Sequence, residues 1–141
     1  MSRNILLPVD LADEASWRKP LAEALYMLGE DGVLHVVSVV PDFGLPQVGG
    51  FFGEGYEKKV LHNLGEALVA WVGEHVPEAV EVHPHVLHGT IYDEILRAAD
   101  RLRVDLIVMG SHRPELRDYL LGPNAARVVR HARQSVYVVR G

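Results

Sequence analysis

Apolar residues along the chain fall into two alternating patterns: short unbroken runs, and longer stretches where they recur every three or four positions. The first run, Asn4-Ile-Leu-Leu-Pro-Val-Asp10, reads as a strand ending in a carboxylate. Pro8 lacks a ladder donor, so the strand is expected to stop there. A helix follows, with Ser16 as its N-cap, Pro20 in its first turn, Leu21, Leu25 and Leu28 as its apolar stripe, and Gly29 closing it. Gly32–Pro41 is a second strand, nearly continuous in β-branched residues.

Asp42–Gly55 breaks the pattern. It holds five glycines and three phenylalanines (Phe43, Phe51, Phe52), and is expected to be a mobile, partly apolar loop whose phenylalanines tuck under the next helix. That helix spans about Tyr56–His75, with Leu61, Leu64, Leu68 and Trp71 on one face. Val80–Gly89 alternates, and Pro84 inside it marks an edge strand. Thr90 is the expected cap of a helix whose stripe is Ile91, Ile95, Ala99 and Leu102, with Asp93 in a capping-box-like position. Leu106–Met109, bounded by Asp105 and Gly110, reads as a strand buried on both faces. A glycine-bearing loop, a helix over roughly Pro123–Arg133 and a last strand Ser135–Val139 complete the chain.

Alternating strands and helices predict an α/β fold: a doubly wound five-stranded parallel sheet, order 3-2-1-4-5, with helices on both faces. That order puts a switch point between the first and fourth strands, where such folds bind ligands at the strands' carboxyl ends. Asp10 and Gly110 both belong to that rim. The turn Gly122-Pro123-Asn124 presents a helix N-terminus, a natural seat for an anion.

Composition narrows the function classes. At 141 residues, one domain over 1–141 is expected. Absence of cysteine excludes a disulfide scaffold, a thiolate zinc site and a thiol nucleophile. No run approaches the ~20 apolar residues of a membrane span, and Met1–Asp10 has no signal-peptide core, so a cytoplasmic location without membrane insertion is the expectation. The net charge of −5 argues against non-specific nucleic-acid binding. Residues 1–96 carry 5 basic and 15 acidic side chains, whereas 97–141 carry 9 basic and 4 acidic, so the positive balance sits in the segment with the candidate anion site.

Four segments carry a family resemblance: Ile5-Leu-Leu-Pro-Val-Asp10, Gly89-Thr-Ile-Tyr-Asp-Glu-Ile95, Asp105-Leu-Ile-Val-Met-Gly-Ser-His-Arg-Pro114, and Tyr119-Leu-Leu-Gly-Pro-Asn-Ala-Ala-Arg-Val-Val-Arg-His-Ala132. On these the chain resembles the universal stress protein family over its whole length, as a small single-domain member with a Ser-His-Arg-Pro variant of the nucleotide loop. The resemblance implies an ATP- or AMP-binding regulatory protein of the stress response, and the Asp10 carboxylate could help hold a magnesium ion beside the phosphates. It places Pro8, Val9 and Asp10 along the adenosine and Val39 against the base. Gly110, His112, Arg113, Gly122, Pro123 and Asn124 would surround the phosphates. It also implies a homodimer formed along the last strand, Val136–Val139.

The loop departs from the family pattern G-x2-G-x9-G-[S/T] in three ways. Arg113 stands at the second glycine, the spacer Pro114–Leu121 is one residue short, and Pro123 replaces the Ser/Thr. Arg113 stiffens the backbone but supplies a guanidinium for phosphate oxygens, and Asn124 offers an amide N–H and side chain where Pro123 has none. The alternative is a dimeric interaction scaffold of the same family that binds no nucleotide. An enzyme is the third class. Ser111-His112 fails the nucleophile-elbow pattern and no base is placed for attacking water, so trace ATP hydrolysis at most is expected. His83 and His85 share a strand face and His88 takes the other; on an edge strand they read as solvated, and no metal site is expected.

Overall fold

A computed structural model describes residues 3–41, 46–111 and 122–140, with the backbone alone over 46–54. Its strands are β1 (Asn4–Pro8), β2 (Val33–Val40), β3 (Glu81–His88), β4 (Leu106–Gly110) and β5 (Ser135–Val139), and its helices are α1 (Arg18–Leu28), α2 (Pro46–His75), α3 (Ile91–Arg101) and α4 (Pro123–His131). A short 3-10 turn, Glu14–Ser16, precedes α1. The strands form one sheet in the order β3-β2-β1-β4-β5, every pairing parallel.

Alternation along the central strands builds two cores. Ile5 and Leu7 of β1, Leu34 and Val36 of β2, and Val108 of β4 pack with Trp17, Leu21 and Leu28 beside α1, and with Leu68 and Trp71 of α2. Leu6, Val37, Ile107 and Met109 point the other way, against Ile95, Ala98 and Ala99 of α3 and Ala125 and Val128 of α4. The sheet is therefore covered on both faces, which is why its central strands read as unbroken apolar runs.

The split between β1 and β4 has a covalent cause. Asp105 N–H donates to the Asn4 carbonyl at 2.7 Å, whereas Val9 N–H donates to Val37 of β2 at 2.8 Å. Alternation then turns Asn4, Leu6 and Pro8 toward β4. Pro8 has no N–H to offer there, and β1–β4 pairing is confined to Ile5↔Leu106 and Leu6↔Ile107. Beyond that point the strands part and a crevice opens.

Four expectations are corrected. Ser16 does not cap α1: Asp13 caps the 3-10 turn, accepting from Ala15 N–H, and Trp17 precedes α1 without a side-chain cap. Pro46–Gly55 is not loop but the first part of α2. Pro46 takes the first helical position, where its missing N–H costs nothing, and glycine propensity is a weak prior against a helix established downstream. Asp42–Leu45, including Phe43, and the side chains of Phe51 and Phe52 lie outside what is described. Thr90 occupies the N-cap of α3 but makes no side-chain cap hydrogen bond. Finally, α4 stops at His131 rather than Arg133, because Ala132 turns extended (φ −68°, ψ 143°) to enter β5. Gly29 closes α1 as expected, at φ 70°. No helix among the described residues is long and apolar enough to cross a membrane.

Candidate functional site

The crevice at the carboxyl rim of β1 and β4 has a volume of about 530 Å³, within the range of small-molecule sites. Pro8, Val9 and Asp10 bring β1 and its exit to it, Val39 comes from β2, and Gly110 ends β4 beside it. Gly122, Pro123 and Asn124 form its far wall at the start of α4. These eight sequence-predicted residues meet in one cleft. The other two, His112 and Arg113, lie outside the described residues, as does the spacer Pro114–Leu121.

Each wall is held by local hydrogen bonds. After β1 the chain turns sharply: Ala12 N–H donates to Asp10 Oδ1 at 3.0 Å and Asp13 N–H to the Asp10 carbonyl at 3.0 Å. Ser16 closes this turn, its hydroxyl donating to the Asp10 carbonyl at 3.1 Å and accepting from Asp10 N–H at 3.0 Å. One carboxylate oxygen of Asp10 thus orders its own loop, and the side chain stays exposed at the mouth. Ser111 follows β4 and is tied to β5, its N–H donating to Val139 at 3.0 Å.

At the α4 mouth, Gly122 N–H donates to the Ser111 carbonyl at 3.3 Å, joining the start of α4 to the residue after β4. Pro123 has no N–H. The first intrahelical bond is Ala126 N–H to Gly122, so the amides of Asn124 and Ala125 head the helix without an intrahelical acceptor. Both residues line the cleft. With the positive end of the helix dipole they favour an anion there. A Cβ built on Gly110 would lie 3.5 Å from Pro20 Cγ and from the Ser16 carbonyl, so this glycine is packed against the start of α1.

The cleft is also lined by residues that sequence reasoning did not assign to it, among them Asp13, Ser16, Ser38, Ile91 and Ile95. Ser38 had a signal, being the one polar residue in Val36–Val40, and it is buried. Ile91 and Ile95 were legible as the stripe of α3; that its first turn reaches this rim depends on how β3 is placed. Elsewhere, His83 Nε2 lies 2.9 Å from Glu81 Oε2, His88 Nδ1 lies 2.8 Å from Glu57 Oε1, and His35 Nδ1 lies 3.0 Å from His85 Nε2.

This arrangement can be set beside known proteins. The model of the universal stress protein family matches residues 1–140. The chain belongs to the universal stress protein family. Universal stress protein G of Escherichia coli O157:H7 is 31% identical, over 99% of this chain and 100% of that one. Among solved structures, universal stress protein UspA from Lactobacillus plantarum superposes with a TM-score of 0.75 at 24% identity, over 99% of this chain and 98% of that one. A universal stress protein family protein from Arabidopsis thaliana, solved with AMP bound, gives 0.63 at 18% identity, over 98% and 91%. At such identities the two structures speak for the fold alone.

Proposed function

We propose that this universal stress protein is an ATP- or AMP-binding regulatory protein of the cytoplasmic stress response, with residues 1–141 acting as one nucleotide-binding domain. Support comes first from one observation: Pro8–Asp10, Val39, Gly110 and Gly122–Asn124 line a single cleft headed by the amides of Asn124 and Ala125. The apolar walls, Val39 and Ile91 among them, suit a purine face, and the α4 mouth suits a phosphate. Asp10 and Asp13 offer carboxylates at the opening, which fits a magnesium ion's preference for oxygen ligands. The AMP bound by the Arabidopsis relative agrees with an adenine nucleotide. Tyr137 of the edge strand β5 is exposed, in keeping with a homodimer through Val136–Val139.

The protein binds rather than turns over its ligand. On this reading ATP hydrolysis stays at trace level at most. A second proposal draws on the same loop: with Gly122 N–H given to Ser111 and Pro123 lacking one, two phosphate donors are missing, which suits a dimeric scaffold without nucleotide. Calorimetric titration of the purified protein with ATP and AMP separates them. One equivalent bound at micromolar affinity supports the first; no heat at millimolar nucleotide with an intact dimer supports the second.

A further inference from the structure

Strand β3 lies at the edge of the sheet beside β2, and none of its residues is fully buried. Pro84 inside it brings no N–H to the ladder. Side chains therefore matter to how firmly it is held. Three imidazoles join the two strands on the side that faces α3. His35 of β2 stands opposite His83 of β3 in register, and His85 stands opposite Val37. The His35 ring stacks on both, with centroids 5.3 Å from His83 and 5.2 Å from His85. His35 Nδ1 and His85 Nε2 are 3.0 Å apart, a hydrogen bond in which one ring donates and the other accepts.

That bond limits how many protons the pair can carry. With both rings neutral, one N–H meets one lone pair. A first added proton leaves the bond in place and makes it charge-assisted. A second turns the accepting nitrogen into another N–H, so two donors and two positive charges face each other across the same gap. The surroundings also disfavour charge. Burial, then the neighbouring His85 and His83, lower the pKa of His35, with Glu81 pulling the other way; burial, then Arg101 and His83, lower that of His85. The Glu81 carboxylate is itself engaged by His83, whose Nε2 lies 2.9 Å from Oε2.

We propose that the His35–His85 pair is an acid-operated latch: it fastens β3 to β2 near neutral pH, and full protonation releases the edge strand locally while β1 and β4 stay paired. Because both folded-state values lie below 6.5, the latch holds above 6.5 and weakens as the pH falls through 6.5 toward them. The tie on the other face of β3 responds in the opposite sense. His88 Nδ1 lies 2.8 Å from Glu57 Oε1 of α2, a contact that a proton on the imidazole strengthens. Release also reaches the cleft. Leu87 of β3 and Val39 of β2 pack on the same core, and Val39 lines the cleft. Acid therefore weakens nucleotide binding as well, a consequence that rests on the nucleotide-binding reading, whereas the latch does not.

Hydrogen exchange of the full chain at about pH 7.5 and about pH 5.5, corrected for the intrinsic rate and read by mass spectrometry, tests the latch. Amides of Val82–His88 should open more readily than those of β1 and β4, and acid should raise their opening at least about tenfold. His85→Gln keeps a hydrogen-bonding side chain without a titrating ring and should cut that response below about threefold. His62→Gln, on the exposed face of α2, should leave it unchanged. Should His85→Gln not fold, the imidazole nitrogen resonances of the unaltered protein decide, by showing the pair taking up its protons in separate steps. The latch is overturned by β3 amides as protected as those of β1, by no acid response in the parent, by an equal response in folded His85→Gln, or by rings that titrate independently at 6.5. Calorimetry with ATP at the same pH values reads the cleft separately. Equal affinity at both sinks the link to the cleft; no binding at either sinks the nucleotide reading, and exchange still judges the latch.

Discussion

The Ser16 hydroxyl grips the backbone of Asp10 from both sides, donating to its carbonyl at 3.1 Å and accepting from its N–H at 3.0 Å. A residue that looks like a helix cap is instead the clasp that sets the β1 wall of the cleft. Ser16→Ala removes both bonds, at a cost to stability of about 1 kcal/mol. It should lower ATP affinity about tenfold by loosening Asp10. Titration calorimetry checks this, and unchanged affinity means the clasp does not shape the site.

Gly110 separates packing from ligand contact. Its missing Cβ would sit 3.5 Å from Pro20 and from the Ser16 carbonyl, an ordinary contact distance, so Gly110→Ala should fold and bind nucleotide within about threefold of the parent. Gly110→Val adds methyls that press on Pro20 and the Ser16 turn, and should lose at least tenfold in affinity with helicity intact. Equal binding by the valine variant would remove Gly110 from the cradle.

Two glycines should respond in opposite directions to alanine. Gly89 sits at φ 144°, where a Cβ would meet the Glu94 side chain at 3.1 Å, so Gly89→Ala should cost about 1–3 kcal/mol. Gly73 lies within α2 with open space around its Cβ position, so Gly73→Ala should gain about 0.5–1 kcal/mol. Urea midpoints measure both.

Leu6 is fully buried on the α3–α4 side, amid Val37, Ile107 and Val128. Leu6→Ala should destabilise by about 2–5 kcal/mol, whereas Tyr26→Ala, at a residue 87% exposed on α1, should stay within about 0.5 kcal/mol. Comparable losses at both positions would contradict this core.

Stability should fall on mild acidification. His35 and His85 have folded-state pKa values lowered from 6.5, chiefly by burial, so between those values and 6.5 the unfolded chain binds more protons. Their contribution is present in full above 6.5 and is lost as the pH drops through 6.5 toward the folded values. The groups facing the pair are His83 and Glu81 of β3 and Arg101 of α3. The urea midpoint should therefore drop between about pH 7.5 and about pH 5.5, and a His35→Asn/His85→Asn double variant should show a flatter profile. An identical profile in that variant would place the acid sensitivity elsewhere.

Much of the fold is legible in local pattern. Leu106–Met109 reads as a strand covered on both faces, Pro84 suits an edge, and alternation of runs with stripes leaves few right-handed topologies. Because ligands gather where such a sheet reverses direction, Pro8–Asp10, Gly110 and the start of α4 could be assigned to one cleft without coordinates. Less legible was anything that turns on a partner remote in sequence.

Hydrophobic period and turn chemistry belong to neighbours along the chain, and they alone determined the order of strands and helices and the rim where the cleft opens. Tertiary structure decided what depends on register and on surrounding packing. It bound the Ser16 hydroxyl to Asp10 rather than to a helix end, carried α2 back through a glycine-rich stretch to Pro46, and opened the crevice where Pro8 withholds a donor from β4. It also brought His35 to His85, 50 residues apart in sequence and 3.0 Å apart in space. The cause is the same in each case: a strand's period says which side a residue faces, and only the pairing of strands says what it meets there.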